Sequence, residues 1–140
     1  MKQYTMVACD LDGTLLNDEM KISSENINAI QQLTARNVLF VPATGRTISE
    51  MKEISENPDI RYLIYSNGAV VFDKKIKQYI YMCLSKEISN FILDTLRLYD
   101  VYIIMHHNGQ TYSKKINDEI VRKYRINTTV YTLVQECANI

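Results

Sequence analysis

The sequence has no tryptophan, only two histidines and three cysteines, and no net charge. Each scarcity excludes something. Cys9, Cys83 and Cys137 are far apart, odd in number, and include no Cys-x-x-Cys pair. Neither a disulfide framework nor a structural zinc site is therefore expected, and reduced thiols point to a cytoplasmic location. Sixteen basic and sixteen acidic residues cancel, so no global field draws the chain to nucleic acid or to an anionic membrane. The longest basic runs are pairs, Lys74-Lys75 and Lys114-Lys115, and read as solvated turns. Ten tyrosines without a tryptophan form no stacking pattern for single-stranded nucleic acid. His106 and His107 are adjacent on an expected strand, where they point to opposite faces, a poor geometry for a metal. No apolar run is long enough to span a bilayer. Asp10 and Asp12 interrupt what would be the apolar core of a leader after Lys2.

An apolar content of 46% and a charged content of 23% are those of a soluble globular protein. The first eighty residues alternate strand and helix. Residues 5–9 predict a buried strand. Ser23 or Ser24 caps a helix that runs to about Arg36, with Ile27, Ile30 and Leu33 on one face, and Asn37 suits the left-handed position that ends it. Residues 38–43 predict a second strand. Thr47-Ile48-Ser49-Glu50 has the form of a capping box, so a helix is expected there, with Ile48, Met51 and Ile54 inward and Asn57-Pro58 as its stop. Residues 61–66 hold a third buried strand. The spacing fits right-handed parallel crossovers, which makes this half of a doubly wound sheet.

The pattern then changes. Residues 69–72 and 79–83 flank Asp73-Lys74-Lys75 as a hairpin. Ser85 caps a helix whose apolar positions Ile88, Phe91, Ile92, Thr95, Leu96 and Tyr99 predict a buried stripe. Residues 101–107 and 110–113 flank Asn108-Gly109, a strong hairpin signal, and a further helix is expected over 117–124. The reading is an α/β class: a Rossmann-like core half over residues 1–80, then part of an α+β domain over residues 81–140.

Three constellations carry chemistry. The first is Asp10-Leu11-Asp12-Gly13-Thr14 directly after the first strand. Ligands of open α/β sheets bind beyond the carboxyl ends of the strands, and the turn at Gly13 can bring both acids toward one substrate. Asp10, nearest the strand, suits a nucleophile, and Asp12, on the turn, suits a proton shuttle. A hard cation would hold a phosphate against Asp10 without charge repulsion. The plainer reading is a turn signal alone. The second is Thr44-Gly45-Arg46 after the second strand, where a hydroxyl, a backbone N–H, a helix start and a guanidinium fork suggest an anion site. The alternative is a capped helix start with a loop glycine. The third is Ser66-Asn67-Gly68-Ala69 after the third strand. Asn67 is either a substrate contact or a left-handed turn residue.

In this order, the three constellations resemble the haloacid dehalogenase superfamily of phosphohydrolases, and within it the Cof-type branch. The resemblance runs through residues 5–72. It implies a Rossmann-like core, Mg²⁺ as cofactor, a small phosphorylated metabolite as substrate, and an aspartyl-phosphate intermediate. It implies Asp10 as nucleophile and metal ligand, and Asp12 as general acid/base with its backbone carbonyl on the metal. Thr44 and the Gly45 N–H would hold the transferring phosphoryl group, and Arg46 and Asn67 would lie near the substrate. Residues from about 80 onward would begin a cap inserted into the core.

The superfamily pattern also includes a later lysine and a later acidic pair. Neither is found in the 140 residues, and Lys114-Lys115 with Asn117-Asp118 mimics them in composition only. The expectation is a chain truncated before those motifs, with an unpaired sheet edge that allows self-association. Two other readings stay open: a phosphomutase sharing the nucleophile, and a non-catalytic remnant that binds phosphate or a partner.

Overall fold

The computed structural model describes residues 4–96, 98–101, 103–107 and 110–113. The chain divides into two compact units, residues 1–82 and 83–140. In the first, β1 (Met6–Cys9) and β2 (Leu39–Pro42) pair in parallel, with Cys9 opposite Pro42. Helix α1 (Ser24–Ala35) joins them. It starts where Ser23 Oγ accepts the Asn26 N–H at 3.2 Å, and it ends before Asn37, whose φ of 58° is the left-handed position expected there. A short helix, α2 (Lys52–Glu56), leads to β3 (Tyr62–Tyr65), which continues into β4 (Val70–Asp73) and β5 (Gln78–Tyr81).

Leu11, Leu15, Ile30, Phe40, Met51, Ile54, Ile60 and Leu63 form the buried core of this unit. The alternation of strand and helix buries them: side chains on one face of the sheet meet the inward faces of α1 and α2. Ile30, from the expected helix face, is 2% exposed.

The structure corrects three details. The first strand is not buried throughout. Val7 and Cys9 pack on the core, whereas Met6 is 53% exposed and Ala8 faces outward with it, as period-two alternation requires when one face is covered. The third strand is not a full parallel partner of β2. It meets that strand at one bridge, Ala43 with Ile64, and its ladder is with β4, antiparallel, Tyr65 opposite Val70. The change from crossovers to hairpins therefore comes at residue 66. Asn67-Gly68 lies in the loop over residues 66–69 that joins these two antiparallel strands. Finally, the capping box does not open a regular helix. One tight turn over Ile48–Glu50 comes first, and α2 starts at Lys52 and is five residues long.

The second unit holds α3 (Lys86–Leu96) and an antiparallel pair, β6 (Ile104–His107) with β7 (Gln110–Ser113). Ser85 Oγ accepts the Ile88 N–H at 3.3 Å, the expected cap. The expected buried stripe is not buried: Ile88 is 49% and Phe91 72% exposed, and the inward residue is Leu93. Leu93 lies about 100° round the helix from Ile92. Spacing finds an apolar face but not what covers it. Asn108-Gly109 and the helix expected over 117–124 lie outside the described residues. Among the described residues, no helix is long and apolar enough to cross a membrane.

Candidate active site

Asp10 and Asp12 are exposed on either side of Leu11, which is fully buried. The middle residue of the Asp-x-Asp triplet is therefore an anchor, and the two acids leave the sheet edge because Leu11 enters the core. The chain then makes a wide turn closed by Leu16 N–H to Leu11 C=O at 2.9 Å. Gly13 has φ of 71°, a left-handed value that glycine takes without steric cost. Asp10 Oδ1 accepts the Leu11 N–H at 2.8 Å, which fixes the carboxylate at the strand end.

The Thr44-Gly45-Arg46 segment leaves β2 next to this turn. Ala43 N–H donates to Cys9 C=O at 2.8 Å, so the segment starts level with Asp10. Thr44 is buried, and its Oγ1 accepts the Arg46 N–H at 3.2 Å. The hydroxyl keeps its own proton to donate. Arg46 reaches back across the sheet edge: Nη2 and Nε donate to Asp12 Oδ1 and Oδ2 at 2.6 and 3.0 Å. This is the bidentate fork that a guanidinium makes with a carboxylate. Nη1 donates to Glu50 C=O at 3.3 Å, and the Met20 sulfur lies 3.8 Å from Nη2. Met20 carries no signal in the sequence that would have marked it, and Glu50 is marked only as the acidic end of the capping box.

Glu50 in turn closes the first turn after Thr47. Its Oε2 accepts the Thr47 N–H and hydroxyl, each at 2.8 Å. The capping residues thus bond as the motif suggests, but the helix they precede is too short to supply the dipole that a helix-terminus anion site draws on. What this segment can offer an anion is the Thr44 hydroxyl and loop N–H groups.

Asn67 closes the set. Its N–H donates to Thr44 C=O at 3.2 Å, and the Ser66 N–H donates to Arg46 C=O at 2.8 Å. Its side chain lies on Gly45: a Cβ placed there would sit 2.7 Å from Asn67 Oδ1. The structure thus brings Asp12, Arg46, Thr44, Gly45 and Asn67 into one connected cluster, with Asp10 at the adjoining strand end.

One neighbouring group shows the local field. Burial, and then the charge of Asp10, push the Cys9 thiol above its ordinary value. Its proton stays in place at neutral pH, which suits a packing role.

As donors for a metal, the described residues include no cluster of three or more His, Cys, Asp or Glu side chains. Asp10 offers a fixed, exposed carboxylate, the Asp12 carboxylate is taken up by the Arg46 fork, and the turn adds backbone carbonyls. Oxygen donors few in number fit a hard cation that keeps waters and takes phosphate oxygens, as magnesium does, and do not fit zinc.

Comparison with known proteins decides the family. The pattern that defines the haloacid dehalogenase-like hydrolases matches residues 7–137. The chain belongs to this family. Relatives of the chain are named as phosphatases. It is similar to the 5-amino-6-(5-phospho-D-ribitylamino)uracil phosphatase YcsE of Bacillus subtilis, 42% identical over 69 residues, 49% of this chain and 28% of that protein. It is also similar to an HMP-PP phosphatase of Yersinia pestis, 39% identical over 93 residues, 66% of this chain and 34% of that protein. A phosphatase structure of the superfamily from Bacteroides thetaiotaomicron superposes with a TM-score of 0.80 at 21% identity, over 97% of this chain and 52% of that one. That likeness shows the Rossmann-like α/β fold. The chain spans about a quarter to a half of the length of these proteins, at 28%, 34% and 52%.

Proposed function

We propose that this chain carries the nucleophile half of a magnesium-dependent phosphatase for small phosphomonoesters. Residues 1–80 would be the first part of the haloacid dehalogenase-like core, and residues 81–140 part of an α+β cap. The observation that carries the reading is the Arg46 fork on Asp12, 2.6 and 3.0 Å. It holds one carboxylate of an exposed pair in a fixed direction, while the other, Asp10, has no basic side-chain partner among the described residues.

On this reading the two acids divide the work. The Asp10 carboxylate attacks phosphorus. A bond forms between its oxygen and phosphorus, and the bond to the leaving oxygen breaks. Asp12, protonated on one oxygen with the Arg46 bond released there, gives the leaving oxygen its proton and then closes on the fork as a carboxylate. Asp12 then takes a proton from the water that attacks the phosphoryl group, Asp10 leaves as a carboxylate, and inorganic phosphate is released. The Thr44 hydroxyl and Gly45 N–H hold the transferring group, Arg46 orients Asp12, and Asn67 stands beside them. The Asp10 carboxylate and the Asp12 backbone carbonyl would hold Mg²⁺, which supplies positive charge that offsets the repulsion between Asp10 and the phosphate.

Relatives named for a phosphoribitylamino-uracil and for HMP-PP support a small phosphorylated metabolite as substrate. The balanced charge supports a partner set without nucleic acid or membrane. Cys9 and Cys83, both free thiols, support a cytoplasmic location. β1 pairs on one side only among the described residues, which supports self-association through that edge.

Covalent capture tests the proposal. The chain is mixed with p-nitrophenyl phosphate and Mg²⁺, quenched in acid, and reduced with borohydride. The reading predicts homoserine at position 10, and capture at any other residue contradicts it.

A further inference from the structure

The turn that joins β3 to β4 runs through three successive left-handed residues, Ser66, Asn67 and Gly68, at φ of 51°, 55° and 88°. Glycine takes such values freely, asparagine tolerates them, and serine pays a steric penalty. Non-glycine residues stay there only when their surroundings over-determine the backbone. The surroundings here are the site loop. Ser66 N–H bonds Arg46 C=O at 2.8 Å, Asn67 N–H bonds Thr44 C=O at 3.2 Å, and Thr44 N–H bonds Ile64 C=O at 3.0 Å. These bonds straddle Gly45 on both sides. The Asn67 side chain fills the space over Gly45, with Oδ1, Cγ and Nδ2 at 2.7, 3.5 and 3.8 Å from where a Cβ would be. Gly45 itself has no left-handed φ, so its lack of a side chain answers to Asn67 and not to its own backbone.

We infer that Asn67 is a positioning residue: the strained turn presses its side chain onto Gly45 and so fixes the backbone of the Thr44-Gly45-Arg46 loop. On the proposed function this loop receives the phosphoryl group, so the consequence for binding rests on that reading. The geometry does not. The loop N–H groups are then preorganised by the turn, and removing the Asn67 side chain loosens them even when the turn keeps its shape.

Asn67→Gly makes that separation, because glycine accepts the left-handed backbone and deletes only the side chain. Asn67→Ala deletes the same side chain and keeps the backbone penalty. Two readouts are taken on the full chain: melting temperature, and the Gly45 amide resonance with and without inorganic phosphate. The inference predicts that Asn67→Gly melts above Asn67→Ala, although glycine costs more chain entropy on folding. It also predicts that the Gly45 resonance moves in Asn67→Gly, and that phosphate binding read at that resonance weakens at least tenfold. An Asn67→Ala variant that melts as high as Asn67→Gly overturns the strained turn. A Gly45 resonance or a phosphate affinity unchanged by Asn67→Gly overturns the positioning role. If phosphate leaves Gly45 unmoved in the unaltered chain, the proposed function fails, and the melting order and the Gly45 shift between variants still decide the inference.

Discussion

Arg46 and Asp12 are 34 residues apart in sequence and joined by two hydrogen bonds of 2.6 and 3.0 Å. The arginine side chain is 12% exposed and the aspartate 51%. A pair this open on its acidic side contributes roughly 0–1 kcal/mol to stability. Its consequence is orientation. The fork leaves Asp12 one direction, and the Glu50 carbonyl holds the fork from behind.

Loss of the fork should therefore cost rate more than stability. Arg46→Gln is expected to lower kcat by on the order of 100-fold, the lower end of what a placed acid/base group supplies, with KM little changed. Arg46→Lys should not restore it, because an ammonium cannot bond both carboxylate oxygens in one plane. The loss should be largest for alkyl phosphates, whose leaving oxygen needs a proton, and smallest for p-nitrophenyl phosphate. Steady-state kinetics on the two substrate types checks this, and an equal loss on both would remove Arg46 from proton transfer.

Leu11 fixes where both acids stand. It is fully buried among the core residues. Leu11→Ala should destabilise the chain by about 2–5 kcal/mol, the cost of a cavity at a site that cannot collapse. Denaturant unfolding measures it. A conservative Leu11→Met should recover most of that loss, since volume is kept.

A second ion pair gives the first unit a pH dependence away from the site. Arg61 Nη2 and Nε donate to Asp73 at 2.7 and 3.1 Å, across the β3–β4 pair. These bonds, and that of the Lys75 N–H, hold the Asp73 carboxyl down to about 2 from an ordinary 3.8. A carboxyl with a lowered folded value stabilises the fold fully above its unfolded value and loses that contribution as pH falls toward its folded one. Melting temperature should thus fall between about pH 4 and pH 2. Asp73→Asn should melt lower at neutral pH and lose that part of the slope. An unchanged acid limb in the variant would assign the slope to other carboxyls.

Much of this architecture is legible in local chemistry. Ser23 as a cap, Asn37 as a left-handed stop and the apolar spacing of Ile27, Ile30 and Leu33 locate α1 within a residue or two, because helix ends are set by side chains nearby in sequence. The strand ends follow from the same runs, and with them the placement of Asp10 and Thr44 at one edge. What escapes is long-range. Nothing local says that the Arg46 fork closes on Asp12, since the two meet only once β1 and β2 are side by side. Asn67-Gly68 has both a turn meaning and a site meaning. The structure gives it the turn and sets its side chain against Gly45, and the antiparallel β3–β4 pair is hidden behind an expected parallel strand. The face of α3 fails for a different reason. Periodicity finds Phe91 and Ile88, but burial depends on what packs there, and Leu93 is the residue that packs.

The most direct measurement is phosphate release by the purified chain from a panel of small phosphomonoesters, with and without Mg²⁺, in the unaltered protein and in Asp10→Asn. The account predicts release that requires Mg²⁺ and disappears in Asp10→Asn. No release from the unaltered chain, or release that survives the loss of the Asp10 carboxylate, would contradict it.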